Sequence, residues 1–106
     1  MTHHQIGDYE VVSHVETPEC SLRLLRLTKD KYVQTHHHHK TTQTYFILDG
    51  TIQASVGGKS MTLQQHQSLR IPVDMLHSIR TDKEALVLSI SIPPLEEDDQ
   101  HLATKH

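Results

Sequence analysis

Four consecutive histidines, His36 to His39, stand in the middle of the chain, and Gln43, Gly50, Pro72 and His77 follow at set distances. Imidazole is the commonest protein ligand of transition metals, so the cluster points to metal chemistry. A histidine run at a terminus reads as a tag. This one is internal, between two segments of strand character, Ser21 to Leu27 and Thr44 to Leu48. On a strand, His36 and His38 point to one face and His37 and His39 to the other. Two imidazoles one pleat apart suit adjacent positions on a metal ion, while the other pair faces away.

The elements that must position these side chains are short strands. Tyr9 to Val15, Cys20 to Thr28 and Gln43 to Leu48 are rich in β-branched, aromatic or aliphatic residues. Asp49-Gly50 is the strongest short-range hairpin signal, and Gly57-Gly58 is a second. Between and after them, Thr51 to Val56, Lys59 to Leu63, Ser68 to Ile71, His77 to Arg80 and Leu86 to Ile92 complete a set of about eight strands. Pro93-Pro94 stops the last one. No stretch keeps a helical period over three turns. The expected architecture is all-β, an antiparallel sandwich or barrel. Its expected parts are an N-terminal arm or edge strand over 1–19, a barrel core over 20–94, and a polar tail over 95–106. The tail, with Glu96-Glu97-Asp98-Asp99, reads as a solvated end with one helical turn at most.

The chain of 106 residues is one domain in size, and with 35% hydrophobic residues and no tryptophan its core must be built from Leu, Ile and Val. A net charge of −3 gives no electrostatic case for nucleic acid. The single Cys20 rules out an internal disulfide framework. Met1 to Gln5 lacks a basic region followed by an apolar stretch, and no apolar run is long enough to span a bilayer. The expectation is a soluble, cytoplasmic protein without a membrane partner. Among the eleven histidines, His3, His4, His101 and His106 lie in polar terminal segments and read as solvated. His14 and His66 read as surface or turn residues.

His36-x-His38, four residues, Gln43, six residues and Gly50 resemble the first motif of the cupins, there usually His-x-His, three or four residues, Glu, six residues, Gly. Pro72-x-Asp74-x-x-His77 resembles the second, usually Pro-x-Gly-x-x-His. The resemblance covers Cys20 to Pro94 and implies a small antiparallel jelly-roll barrel with one divalent transition metal (Zn, Ni, Mn, Fe, Co or Cu) in its mouth. The implied ligands are His36, His38, Gln43 and His77. The register His37-x-His39, with three residues before Gln43, also fits the looser pattern, although the four-residue gap is the commoner metal-binding form. Asp74 replaces the turn glycine and tolerates left-handed backbone. Gln43 replaces a carboxylate. Three imidazoles and an amide leave the ion its full charge, which favours Lewis acidity over support of an oxidised state.

Some small cupins with this ligand pattern act on unsaturated sugar acids in ring opening or isomerisation. The resemblance therefore implies a Lewis-acid enzyme of isomerase or lyase type on a small sugar or sugar acid. A metal-dependent dioxygenase and a non-catalytic ligand-binding module are the alternatives. Tyr45, two residues from Gln43, shares its face and is the candidate proton or hydrogen-bond donor. One of Arg23 and Arg26 points inward and could bind a carboxylate. Ser89 and Ser91 share a face that lines a polar pocket or meets water. Small cupins commonly pair as homodimers. Here the segment Tyr9 to Val15, without an evident hairpin partner, is the expected edge strand for such pairing.

Overall fold

The computed structural model describes residues 6–102. Ten strands follow one another: β1 (Gly7–Asp8), β2 (Glu10–Glu16), β3 (Ser21–Leu27), β4 (Tyr32–His37), β5 (Thr42–Val56), β6 (Lys59–Gln64), β7 (Ser68–Ile71), β8 (His77–Arg80), β9 (Ala85–Ile92) and β10 (His101–Leu102). All pairings are antiparallel, and the main path runs β1-β4-β8-β5-β9-β3-β2. β10 adds to β4, and β6 and β7 add to β5. The result is an all-β barrel, as the strand pattern leads one to expect, in the jelly-roll form that the resemblance implied. No helix among the described residues is long and apolar enough to cross a membrane.

β5 holds the barrel together. Its first half pairs with β7 and β9, and its second half pairs with β6 and β8. The change of partners falls at Asp49-Gly50. These residues do not form the expected hairpin: β5 continues through them. The ladder to β9 slips between Ile47 and Asp49, and Gly50 takes φ 80°. The residue pair that favours a tight turn here supplies a bulge, which bends the strand from one wall of the barrel into the other. A Cβ on Gly50 would collide with the Glu84 carbonyl oxygen. Gly57-Gly58 does form the expected turn, between β5 and β6, with φ 56° and 84°.

Cross-strand register sorts the interior into layers. Leu25 and Ile47 both pair with Val87. One layer along, Arg23 and Tyr45 pair with Ser89; in the next, Ser21 and Gln43 pair with Ser91. All these side chains are buried. The barrel is therefore apolar at one end, around Leu27, Ile47, Ile52, Ile79 and Val87, and polar at the other.

The segment Tyr9 to Val15 does have a partner within the chain, β2 pairing with β3 from Glu10–Arg26 to Glu16–Ser21, and it stands at the end of the strand path, an edge strand. One further expectation is corrected: the acidic tail is docked rather than solvated. It makes a 3-10 turn at Glu97–Asp99 and then β10, and Asp99 is 2% exposed.

Gly50→Ala should lower folding stability by about 1–3 kcal/mol, because a side chain meets both a left-handed φ and a neighbouring carbonyl. Urea denaturation measures this, and a wild-type midpoint would show that the bend accepts a Cβ.

Candidate metal centre

The end of β4 and the two residues after it present the histidines by alternation. His36 is 2% exposed and faces the interior, His37 is half-buried on the outer side, His38 turns in again at 2%, and His39 is exposed. His36 lies directly opposite His77, the first residue of β8. Gln43, near the start of β5, reaches the same place from the facing wall. The structure thus brings His36, His38, Gln43 and His77 together and leaves His37 and His39 outside. The ring centroids of His36 and His77 are 4.2 Å apart, those of His36 and His38 4.8 Å, and those of His38 and His77 5.3 Å. The three histidines each offer a ligand atom, all within 4.8 Å of one another.

Every one of these rings has its Nδ1 on a main-chain carbonyl: His36 on Gln34 at 2.6 Å, His38 on Asp99 at 2.7 Å and His77 on Met75 at 2.9 Å. Burial, with the His77 ring second, pushes His36 down to about 3. Burial pushes His77 down to about 4 and lowers His38 as well. The rings are therefore neutral at pH 7, with one proton each. If that proton sits on Nδ1 and is donated to the carbonyl, Nε2 carries a lone pair. Yet Nε2 of His38 and Nε2 of His77 each lie 3.1 Å from Gln43 Oε1, which also carries lone pairs. The opposite tautomer moves the same conflict to the carbonyl side. The Gln43 amide is oriented by its other end, Nε2 donating to Ser91 Oγ at 3.1 Å. Acceptors that converge on one point are the arrangement a cation resolves, and Nδ1 donation to a carbonyl is the usual support of a metal-binding imidazole. These residues fit one transition-metal ion.

The surroundings are polar. Tyr45 is buried, its hydroxyl 3.4 Å from Gln43 Oε1, and burial raises its pKa. Arg23 points inward at 8% exposure with Nε donating to His14 Nδ1 at 3.2 Å, whereas Arg26 is exposed and meets Glu10 at 3.2 Å. Ser89 and Ser91 both face in. Arg23, His36, Gln43, Tyr45 and Ser89 border a cavity of about 20 Å³, covered by Leu95 and Gln100 of the tail. That volume holds about one water molecule. A much larger cavity, about 490 Å³, lies over β4, β5, β6 and β8 and includes no histidine, so size alone does not locate the chemistry.

Asp99 went unnoticed in the sequence. Its carbonyl orients His38, and its carboxylate accepts from the amides of His39 at 2.8 Å and Lys40 at 3.0 Å. Burial opposes its charge, but the amide hydrogen bonds outweigh that and lower its pKa. Four acidic residues in a row gave no signal that one of them turns inward. Asp74 behaves as its composition suggested: φ is 65°, and its amide donates to the His38 carbonyl at 2.7 Å. His66 occupies a turn at φ 72°. The histidines His3, His4 and His106 lie outside the described residues.

The family pattern described as "Cupin domain" matches residues 23–91. The chain belongs to the cupin family. Its fold is similar to KdgF from Halomonas sp., with 16% identity, a TM-score of 0.75, and coverage of 86% of this chain and 89% of the other. The protein TT1209 from Thermus thermophilus is similar at 20% identity and TM-score 0.74, covering 84% and 85%. A putative sugar phosphate isomerase from Acidithiobacillus ferrooxidans is similar at 16% identity and TM-score 0.66, covering 81% and 67%. At such identities the likeness is one of fold. No curated protein matches the sequence.

The buried neutral histidines make a prediction for the metal-free protein. Their folded pKa values lie below the unfolded value of about 6.5, so the unfolded chain takes up protons first. Stability is full above pH 6.5 and is lost as pH falls toward 4 and 3. The melting temperature should drop by at least roughly 5 °C between pH 7 and 5. A flat profile over that range would contradict neutral burial.

Proposed function

We propose that this cupin is a metal-dependent Lewis-acid enzyme acting on a small sugar or sugar acid, by isomerisation or ring opening. His36, His38, Gln43 and His77 hold one divalent transition metal. The observation that carries the reading is the convergence of Nε2 lone pairs and the Gln43 oxygen on one point, with every donor neutral. When bound, such an ion supplies Lewis acidity toward a substrate carbonyl or hydroxyl. The chain's own groups do the rest. Arg23 offers a guanidinium at the cavity wall, suited to a substrate carboxylate. Tyr45, kept protonated by burial, donates a hydrogen bond or a proton to a substrate oxygen rather than acting as a base. Ser89 and Ser91 orient hydroxyl groups and fix the Gln43 amide. A structural neighbour described as a putative sugar phosphate isomerase supports the substrate class.

A metal-dependent dioxygenase is the first alternative, and oxygen uptake on substrate addition would favour it. The second is a binding module without chemistry. Metal binding without turnover of any sugar acid would favour it.

Two measurements test the leading reading. Elemental analysis of tag-free protein should find about one transition metal per chain. Gln43→Glu should keep the metal and lower turnover of an unsaturated sugar acid by about tenfold or more, because the added charge weakens polarisation of the substrate. Equal or faster turnover contradicts the role given to Gln43, and protein that neither contains metal nor is thermally stabilised by Zn, Ni, Mn, Fe or Co removes the reading.

The partner we assign is a second copy of the chain. Besides the open edge of β2, a sheet face is available for pairing. On β3 and β9 the outward residues include Leu22, Leu24, Leu86, Leu88, Ile90 and Ile92, while inward neighbours include Ser21, Arg23, Ser89 and Ser91. Strands apolar on their outer side are strands with something packed on that side. Sedimentation velocity at micromolar concentration should show a dimer that Leu88→Glu converts to a monomer; monomeric wild-type protein refutes it.

A further inference from the structure

We propose a second divalent transition-metal site on the outer side of β4, made by His37, His39 and His101. The alternation that turns His36 and His38 inward leaves His37 and His39 outside. The tail then returns as β10 and sets His101 directly opposite His37. Three imidazoles thus meet in a closed triangle, with ring centroids 4.2 Å apart for His39 and His101, 5.0 Å for His37 and His39, and 5.3 Å for His37 and His101.

Two further observations point to a cation. His37 Nδ1 is buried, and no hydrogen bond in the described residues reaches it. A buried ring nitrogen without a partner is costly, and an ion among the three rings would supply one. Carboxylates also flank the triangle. Asp74 Oδ1 lies 2.6 Å from His39 Nδ1, and Asp99 Oδ1 lies 3.5 Å from His101 Nε2. A carboxylate on the far nitrogen orients an imidazole and raises its basicity as a ligand. That leaves Nε2 of His39 and Nδ1 of His101 for the ion. The ligand nitrogens do not converge here as those of the inner three do, so binding needs the rings to rotate; His39 and His101 have side chains 57% and 35% exposed, which leaves both free to turn. Three nitrogens with open positions suit Zn, Co, Ni or Cu.

The site would fasten β10 to β4. Leu95 and Gln100, in the segment leading to β10, cover the cavity beside the inner histidines, and Asp99 supplies the carbonyl that orients His38. An ion on the outer face therefore holds down the segment that closes the inner one.

The test is a Zn²⁺ titration of tag-free, metal-free protein, followed by calorimetry and by the ¹⁵N resonances of each imidazole. Two equivalents should bind at assigned histidines, the weaker one shifting His37, His39 and His101. His39→Ala, which leaves β10 intact, and His101→Ala should each abolish that event while the resonances of His36, His38 and His77 still respond. Zinc that shifts only the inner three, or that reaches the outer three equally well in both variants, overturns the inference. Zinc that shifts only the outer three supports it and removes the metal centre proposed for function, so the two readings fail separately.

Discussion

A buried imidazole must stay neutral and still find something for both ring nitrogens. That requirement organises one end of this barrel. Each inner histidine uses a main-chain carbonyl at Nδ1, and the three carbonyls come from β4, from the loop before β8, and from the tail. The other nitrogen of His38 and of His77 faces the Gln43 oxygen, acceptor against acceptor, so the protein alone leaves that half of the requirement open. Four segments distant in sequence are thus held to one point by polar geometry. Packing alone would tolerate a looser arrangement, because apolar contacts have no direction.

The same end would be unstable without the other. Strand register stacks Gln43 with Ser21 and Ser91, then Tyr45 with Arg23 and Ser89, then Ile47 with Leu25 and Val87. Tyr45 sits at the boundary, with an apolar ring above the core and a hydroxyl turned to Gln43. It is the largest of the fully buried side chains, and it closes the aliphatic core against the polar layer.

Much of this was legible in the sequence, for reasons tied to period and spacing. Strand alternation separates His36 and His38 from His37 and His39 whatever the fold, and the resemblance to the two cupin motifs implied that Gln43 and His77 lie beside them. Alternation left Arg23 and Arg26 undecided, because opposite faces do not say which is inside; the closed barrel buries Arg23 and leaves Arg26 exposed. Asp49-Gly50 misled, since left-handed backbone serves a bulge as well as a turn. Asp99 was illegible. Its importance comes from a carbonyl, which every residue has, and from a carboxylate that differs in no way from its three acidic neighbours. His101 was hidden similarly, because only the return of β10 sets it against His37.

The contact between Asp99 and His38 spans 61 residues. During synthesis, His36 and His77 can settle against their local carbonyls as soon as β4 and β8 pair. His38 cannot, because its acceptor has not yet been made. The inner cluster therefore matures last, after nearly the whole barrel has left the ribosome. An ion held there, as proposed, would be chosen by the finished fold and by the metal pool that surrounds it then, not by a nascent chain that offers loose histidines to the first cation it meets.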